Sequence, residues 1–117
     1  MKNRPFHQRL QFALSGIKNT LKSEASFRTQ VTLSCGAISI LLIIQPSAIW
    51  CAIFFLAIGC VLSAELINTA LENMMDRLHP EVHPVIAKAK DCAAGAVLIL
   101  SLMSVCILLF LLYDKYF

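Results

Sequence analysis

Four side chains pose the chemical problem of this sequence: Glu65, Asn68, Glu72 and Asp76, in the stretch AELINTALENMMD (residues 64–76). The last three follow Glu65 by three, seven and eleven positions. At about 100° per residue, an α-helix gathers all four within roughly 80° of arc. Carboxylates and an amide on one face offer a hard cation such as Mg²⁺ the oxygen ligands it prefers, with substrate phosphates completing the shell. One carboxylate could instead serve as general base towards a hydroxyl. A plain solvated helix end accounts for Asp76, fits Glu72 less well and leaves Glu65 unexplained. Downstream, Lys88, Lys90 and Asp91 complement the group. A lysine there could neutralise nucleotide phosphates or simply snorkel its ammonium to water. Lys88 fits snorkelling better, and Lys90 suits either role.

What must position these groups is a membrane protein. The chain has 117 residues, 58% of them hydrophobic, and a mean hydropathy of +0.73, above the composition of soluble domains. One domain, residues 1–117, is the expectation. Charge is segregated: 36 uncharged residues separate Arg28 from Glu65, and 22 separate Asp91 from Asp114. A spanning helix needs about 20 mostly apolar residues. The first gap holds most of two spans, broken at Gln45-Pro46-Ser47, where Pro46 removes a backbone donor and disfavours helix before it. The second gap holds one span. The fold expected is therefore all-α, with spans at about 26–44, 47–76 and 85–113. Span two would place Glu65 roughly 27 Å along from Ser47, near one boundary of a hydrocarbon core about 30 Å thick. Asn68, Glu72 and Asp76 would then stand in the headgroup layer and the water beyond.

Residues 6–22 form a further element. Phe6, Leu10, Ala13, Leu14, Ile17 and Leu21 recur at helical spacing, flanked by Arg9, Lys18 and Lys22. Such a basic amphipathic helix lies in the membrane interface, and it extends to about residue 25 if it continues. Continuation would put Glu24 on the apolar side, either solvated at the helix end or turned inward to a site. No apolar leader run occurs in the first 28 residues, so no cleaved signal is expected. Lys2, Arg4, Arg9, Lys18, Lys22 and Arg28 precede span one against Glu24 alone, and Arg77, Lys88 and Lys90 follow span two. The positive-inside rule puts the N-terminus and the second loop in the cytoplasm. The net charge of +3 suits anionic lipid headgroups, and nucleic-acid binding has no other support.

Other features read as structure. Cys35, Cys51, Cys60, Cys92 and Cys106 form no CxxC pair and suit packing. His79 and His83 stand at a zinc-like spacing, but Pro80 and Pro84 argue for a loop. Small residues (Gly59, Ser63 and Ala93 to Ala96) permit close helix contact. No Gly-rich phosphate loop occurs, so nucleotide chemistry must use another architecture.

The segments GIKNTLKSEASFR (16–28), ELINTALENMMD (65–76) and AKDCAAGAVL (89–98) resemble the small prokaryotic integral-membrane diacylglycerol kinase family, which also contains undecaprenol kinases. The resemblance covers residues of about 10 to 112. It implies an ATP- and Mg²⁺-dependent lipid kinase of the bacterial cytoplasmic membrane, a homotrimer with active sites at subunit interfaces. Carried over by position, Glu65 would be the general base. Glu24 and Glu72 would hold Mg²⁺ with the ATP phosphates. Lys90 would contact phosphate, Asp91 the nucleotide, and Asp76 and Arg9 would assist with ATP. Asn68 and Gln30 would support the substrate. Gln30 departs from the Glu or His expected there. The product would be phosphatidic acid from diacylglycerol, or a polyprenyl phosphate from undecaprenol. An ion-relay subunit would want acids at mid-bilayer, and a non-catalytic scaffold should have lost one of Glu65, Asn68, Glu72 or Lys90.

Overall fold

A computed structural model describes residues 3–117. Lys2, counted above in the N-terminal charge, lies outside the described residues. Four α-helices follow in order: α1 (Phe6–Ser23), α2 (Ala25–Ile44), α3 (Ala48–Leu78) and α4 (Pro84–Tyr116). The last three are long and apolar enough to cross a membrane. Both the all-α class and the number of spans agree with the sequence reading, and the boundaries move by a few residues only.

The junction at Glu24 corrects one expectation. The amphipathic helix does not run on to residue 25; it stops at Ser23, and Glu24 has extended backbone with φ −112° and ψ 112°. The cause lies one turn ahead. Arg28 Nη1 donates to the carbonyls of Leu21 and Lys22 at 2.9 Å each, the acceptors that a continuing helix would offer to residues 25 and 26. With those carbonyls taken, the chain turns, and α2 restarts as Arg28 N–H donates to Glu24 O at 3.2 Å. Glu24 is thus the hinge residue between two helices rather than a position on either face.

The other breaks follow local chemistry. Gln45 closes α2 in the left-handed region at φ 51° and ψ 59°, its N–H on Leu41 O at 2.9 Å. Pro46, unable to prolong a helix, follows it. At α4 the N-cap is His83, whose Nδ1 accepts the Val85 N–H at 3.1 Å, with Pro84 at the first helical position. One of the two histidines flagged by spacing is therefore spent on capping.

α3 is the shared wall. It packs most extensively on α4 and next on α2, while α1 touches α2 and α3. α2 and α4 lie on α3 side by side but apart: no α2 Cα comes within 8 Å of an α4 Cα. Leu41, Phe54 and Leu111, one from each span, form a buried cluster with Trp50 and Ile107 packed against it. Leu111 is 1% exposed. At the same end Trp50 Nε1 donates to Asp114 Oδ2 at 3.1 Å. Much of the remaining apolar surface, including Leu42, Ile43, Phe55 and Phe110, faces outward, as the surfaces of membrane helices do. A Cβ built on Gly59 or Gly95 would meet nothing within 4 Å, so the close contacts they permit are not made within this chain.

Candidate active site

The acidic stripe of α3 becomes a site because helix geometry turns its first member inward. Glu65 lies on the α3 face that also carries Val61 and Phe54, and it is 4% exposed. Burying a carboxylate is costly unless it is hydrogen-bonded, and α2 supplies the partner. Ser26 Oγ donates to Glu65 Oε2 at 3.2 Å. Thr69, one turn on, is buried as well at 6% exposure. The carboxylate is therefore held through one oxygen, Oε2.

Asn68 and Glu72 continue the stripe. Asn68 Nδ2 donates to Glu72 Oε1 at 3.3 Å, an i, i+4 contact that holds both side chains on one face. The amide oxygen that results, Asn68 Oδ1, is buried with no hydrogen-bond partner among the described residues. An orphaned acceptor of this kind calls for a donor or a cation. Half-buried Glu24 stands at the α1–α2 hinge. Oxygen-only donors suit Mg²⁺, which usually takes one or two carboxylates and completes its shell with phosphates and water. Among the described residues no three His, Cys, Asp or Glu side chains gather into a metal cluster. The donors here fit that partial, substrate-completed style of binding.

Past Glu72 the stripe meets α4. Lys90 Nζ forms an ion pair with Asp76 Oδ1, both side chains partly exposed. The two residues expected to attend a nucleotide thus neutralise each other across the α3–α4 connection. An exposed pair of this kind contributes little stability, so either partner can be drawn away at small cost.

The family model for prokaryotic diacylglycerol kinase matches residues 11–112 of the chain. The chain belongs to that family. Among its relatives, the undecaprenol kinase of Bacillus subtilis is 36% identical over 98 residues, covering 84% of this chain and 79% of that one. The diacylglycerol kinase of Escherichia coli is 30% identical over 101 residues, covering 84% and 83%. That of Haemophilus influenzae is 29% identical over 89 residues, covering 76% and 75%. This protein is accordingly a lipid kinase of the diacylglycerol kinase type and a multi-pass bacterial membrane protein, which sets aside the scaffold and ion-relay readings.

Within this lipid kinase the remaining expected residues are placed unevenly. Gln30 lies on α2 one turn from Ser26, its Nε2 donating to Ser101 Oγ of α4 at 3.2 Å rather than to the acidic stripe. Arg9 is exposed on α1 and Asp91 exposed on α4, and among the described residues neither contacts the acidic stripe. Three residues went unnoticed in the sequence reading of the site: Ser26, Thr69 and Ser101. For Ser26 a signal exists. Ser26, Gln30 and Ser34 follow one another at i, i+4 and i+8 and so share one face of α2.

Proposed function

We propose that this kinase transfers the γ-phosphoryl group of ATP to the hydroxyl of diacylglycerol at the cytoplasmic face of the bacterial inner membrane, with Mg²⁺ as cofactor. The observation that carries the reading is buried Glu65, held by Ser26 next to an amide oxygen that lacks a partner.

In this mechanism Glu65 takes the proton of the lipid hydroxyl as its oxygen attacks the γ-phosphorus. The bond from the γ-phosphorus to the bridging oxygen breaks, and ADP leaves with that electron pair. Glu24 and Glu72 would hold Mg²⁺, and Asn68, hydrogen-bonded to Glu72, would offer its Oδ1. When bound, the metal offsets charge on the triphosphate. Lys90 exchanges Asp76 for phosphate, and Asp76, Asp91 and Arg9 attend the nucleotide. Little covalent chemistry falls to the protein; positioning and electrostatics supply the rate. The working unit is a homotrimer. Its support is the family reading together with the open faces around Gly59 and Gly95, where neighbouring copies would fit. The positive-inside count supports a cytoplasmic N-terminus.

A second acceptor has an observation of its own. The undecaprenol kinase relative is 36% identical, above the 30% of the Escherichia coli diacylglycerol kinase. Purified protein in detergent, given Mg²⁺ and γ-labelled ATP, should phosphorylate diacylglycerol and undecaprenol presented side by side at different rates, diacylglycerol faster. A folded trimer that labels neither lipid would defeat the reading.

A further inference from the structure

The gap between α2 and α4 is a groove of about 430 Å³, floored by α3, within the size range of small-molecule sites. Its floor runs along one face of α3 through Val61 and Ile58 to Phe54, beginning one helical turn from Glu65. The Leu41–Phe54–Leu111 cluster closes the far end. Near the Glu65 end a polar strut crosses it, the hydrogen bond from Gln30 to Ser101. No α2 Cα comes within 8 Å of an α4 Cα, so this bond links the two helices through side chains alone.

The strut is unusual among the groove's polar groups. Thr32, Ser34 and Ser104 each give their hydroxyl hydrogen to a carbonyl of their own helix, at 2.7–2.9 Å. Gln30 and Ser101 do not. After Nε2 donates to Ser101, the amide keeps a second N–H and the serine keeps its hydroxyl hydrogen, with no acceptor for either among the described residues. Donors beside a mostly apolar groove are matched by an occupant that supplies acceptors. They stand about 6 Å below Ser26, one helical turn deeper than the Ser26–Glu65 contact.

Resting on the reading of the site as a lipid kinase, we infer that Gln30 and Ser101 form a specificity element that reads an ester carbonyl of the acceptor lipid. A diacylglycerol whose hydroxyl meets Glu65 carries its two ester groups on the other two glycerol carbons, and these enter the groove at the level of the strut. Their carbonyl oxygens accept hydrogen bonds and offer none, matching the two spare donors. A polyprenol carries no polar atom beyond its terminal hydroxyl and would leave both donors against hydrocarbon. Gln30 and Ser101 thus select for an ester-linked glycerolipid, through binding rather than through proton transfer.

The test compares kcat/KM for dioleoylglycerol, its dioleyl ether analogue and undecaprenol, using the full chain in detergent micelles at saturating Mg²⁺ and ATP. The ether keeps the hydroxyl and chains but lacks both carbonyls. The unaltered protein should favour the ester over the ether by about five- to tenfold, as expected for one hydrogen bond. Gln30→Leu and Ser101→Ala should each pull that ratio towards one while the KM for ATP holds. Equal use of ester and ether by the unaltered protein would overturn the proposal, as would equal loss on both lipids in the variants, the mark of a merely structural strut. Faster turnover of undecaprenol than of the ester would overturn it and leave the kinase intact. A Gln30→Leu variant that changes oligomeric state but keeps the ester-to-ether ratio would assign the groove to a second copy of the chain. Labelling of none of the lipids would bring down the kinase reading itself, and this pair with it.

Discussion

The two ends of the helix packing are built to opposite rules. At the Trp50 end, Leu41, Phe54 and Leu111 fill the space between the three spans, and the indole N–H there has found Asp114. At the Glu65 end polar groups join the spans. A buried carboxylate hangs on one serine, an amide oxygen lacks a partner, and an ion pair is exposed enough to exchange. The same helix serves both ends: α2 gives Ser26 and Gln30 to one and Leu41 to the other, all on one face. The difference teaches where each kind of free energy is used. Dry packing holds the bundle far from the chemistry, so the reacting end can carry polar groups whose partners arrive with the substrates.

Five substitutions test that division. Glu65→Gln should cost the most, roughly 10²–10⁴ in turnover, the range for loss of a general base. Nucleotide binding should persist, and a variant with a normal rate would remove Glu65 from the mechanism. Leu111→Ala should act in the opposite way. It should lower stability by about 2–5 kcal/mol through the cavity it leaves, read as a drop in Tm in detergent, with kcat/KM unchanged below that temperature. Were activity to fall while Tm held, the two ends would not be separable. Glu24→Gln and Glu72→Gln should raise the Mg²⁺ concentration needed for half-maximal rate by about tenfold each. An unchanged Mg²⁺ titration would count against metal ligation by that side chain. Smallest is Ser26→Ala, expected to slow turnover only several-fold, since it removes one hydrogen bond worth about 1 kcal/mol. A loss as large as that of Glu65→Gln would make Ser26 a reacting group rather than a support.

Much of this was legible from residue order. Long charge-free runs mark spans whatever they pack against, because hydrocarbon excludes charge at any orientation. The break at Gln45-Pro46 is local backbone chemistry, as is the turn at the His-Pro pairs. Glu65, Asn68 and Glu72 share a face by arithmetic alone. The hinge at Glu24 was misread because its cause, Arg28 on the Leu21 and Lys22 carbonyls, is a side chain reaching back over the helix end, which periodicity does not register. Small residues state that a close neighbour is allowed and leave open which surface supplies it.

Helical class, three spans, an amphipathic lead-in and an acidic face at one end of span two all follow from patterns within single segments, where geometry is set by neighbours along the chain. Which carboxylate is buried, that Ser26 holds it, that Lys90 meets Asp76 and that Gln30 reaches Ser101 across an open groove are decided only when the helices assemble. Those contacts join residues from 14 to 71 positions apart, and their existence depends on how far α2 and α4 stand from each other on α3, a distance that no single helix encodes.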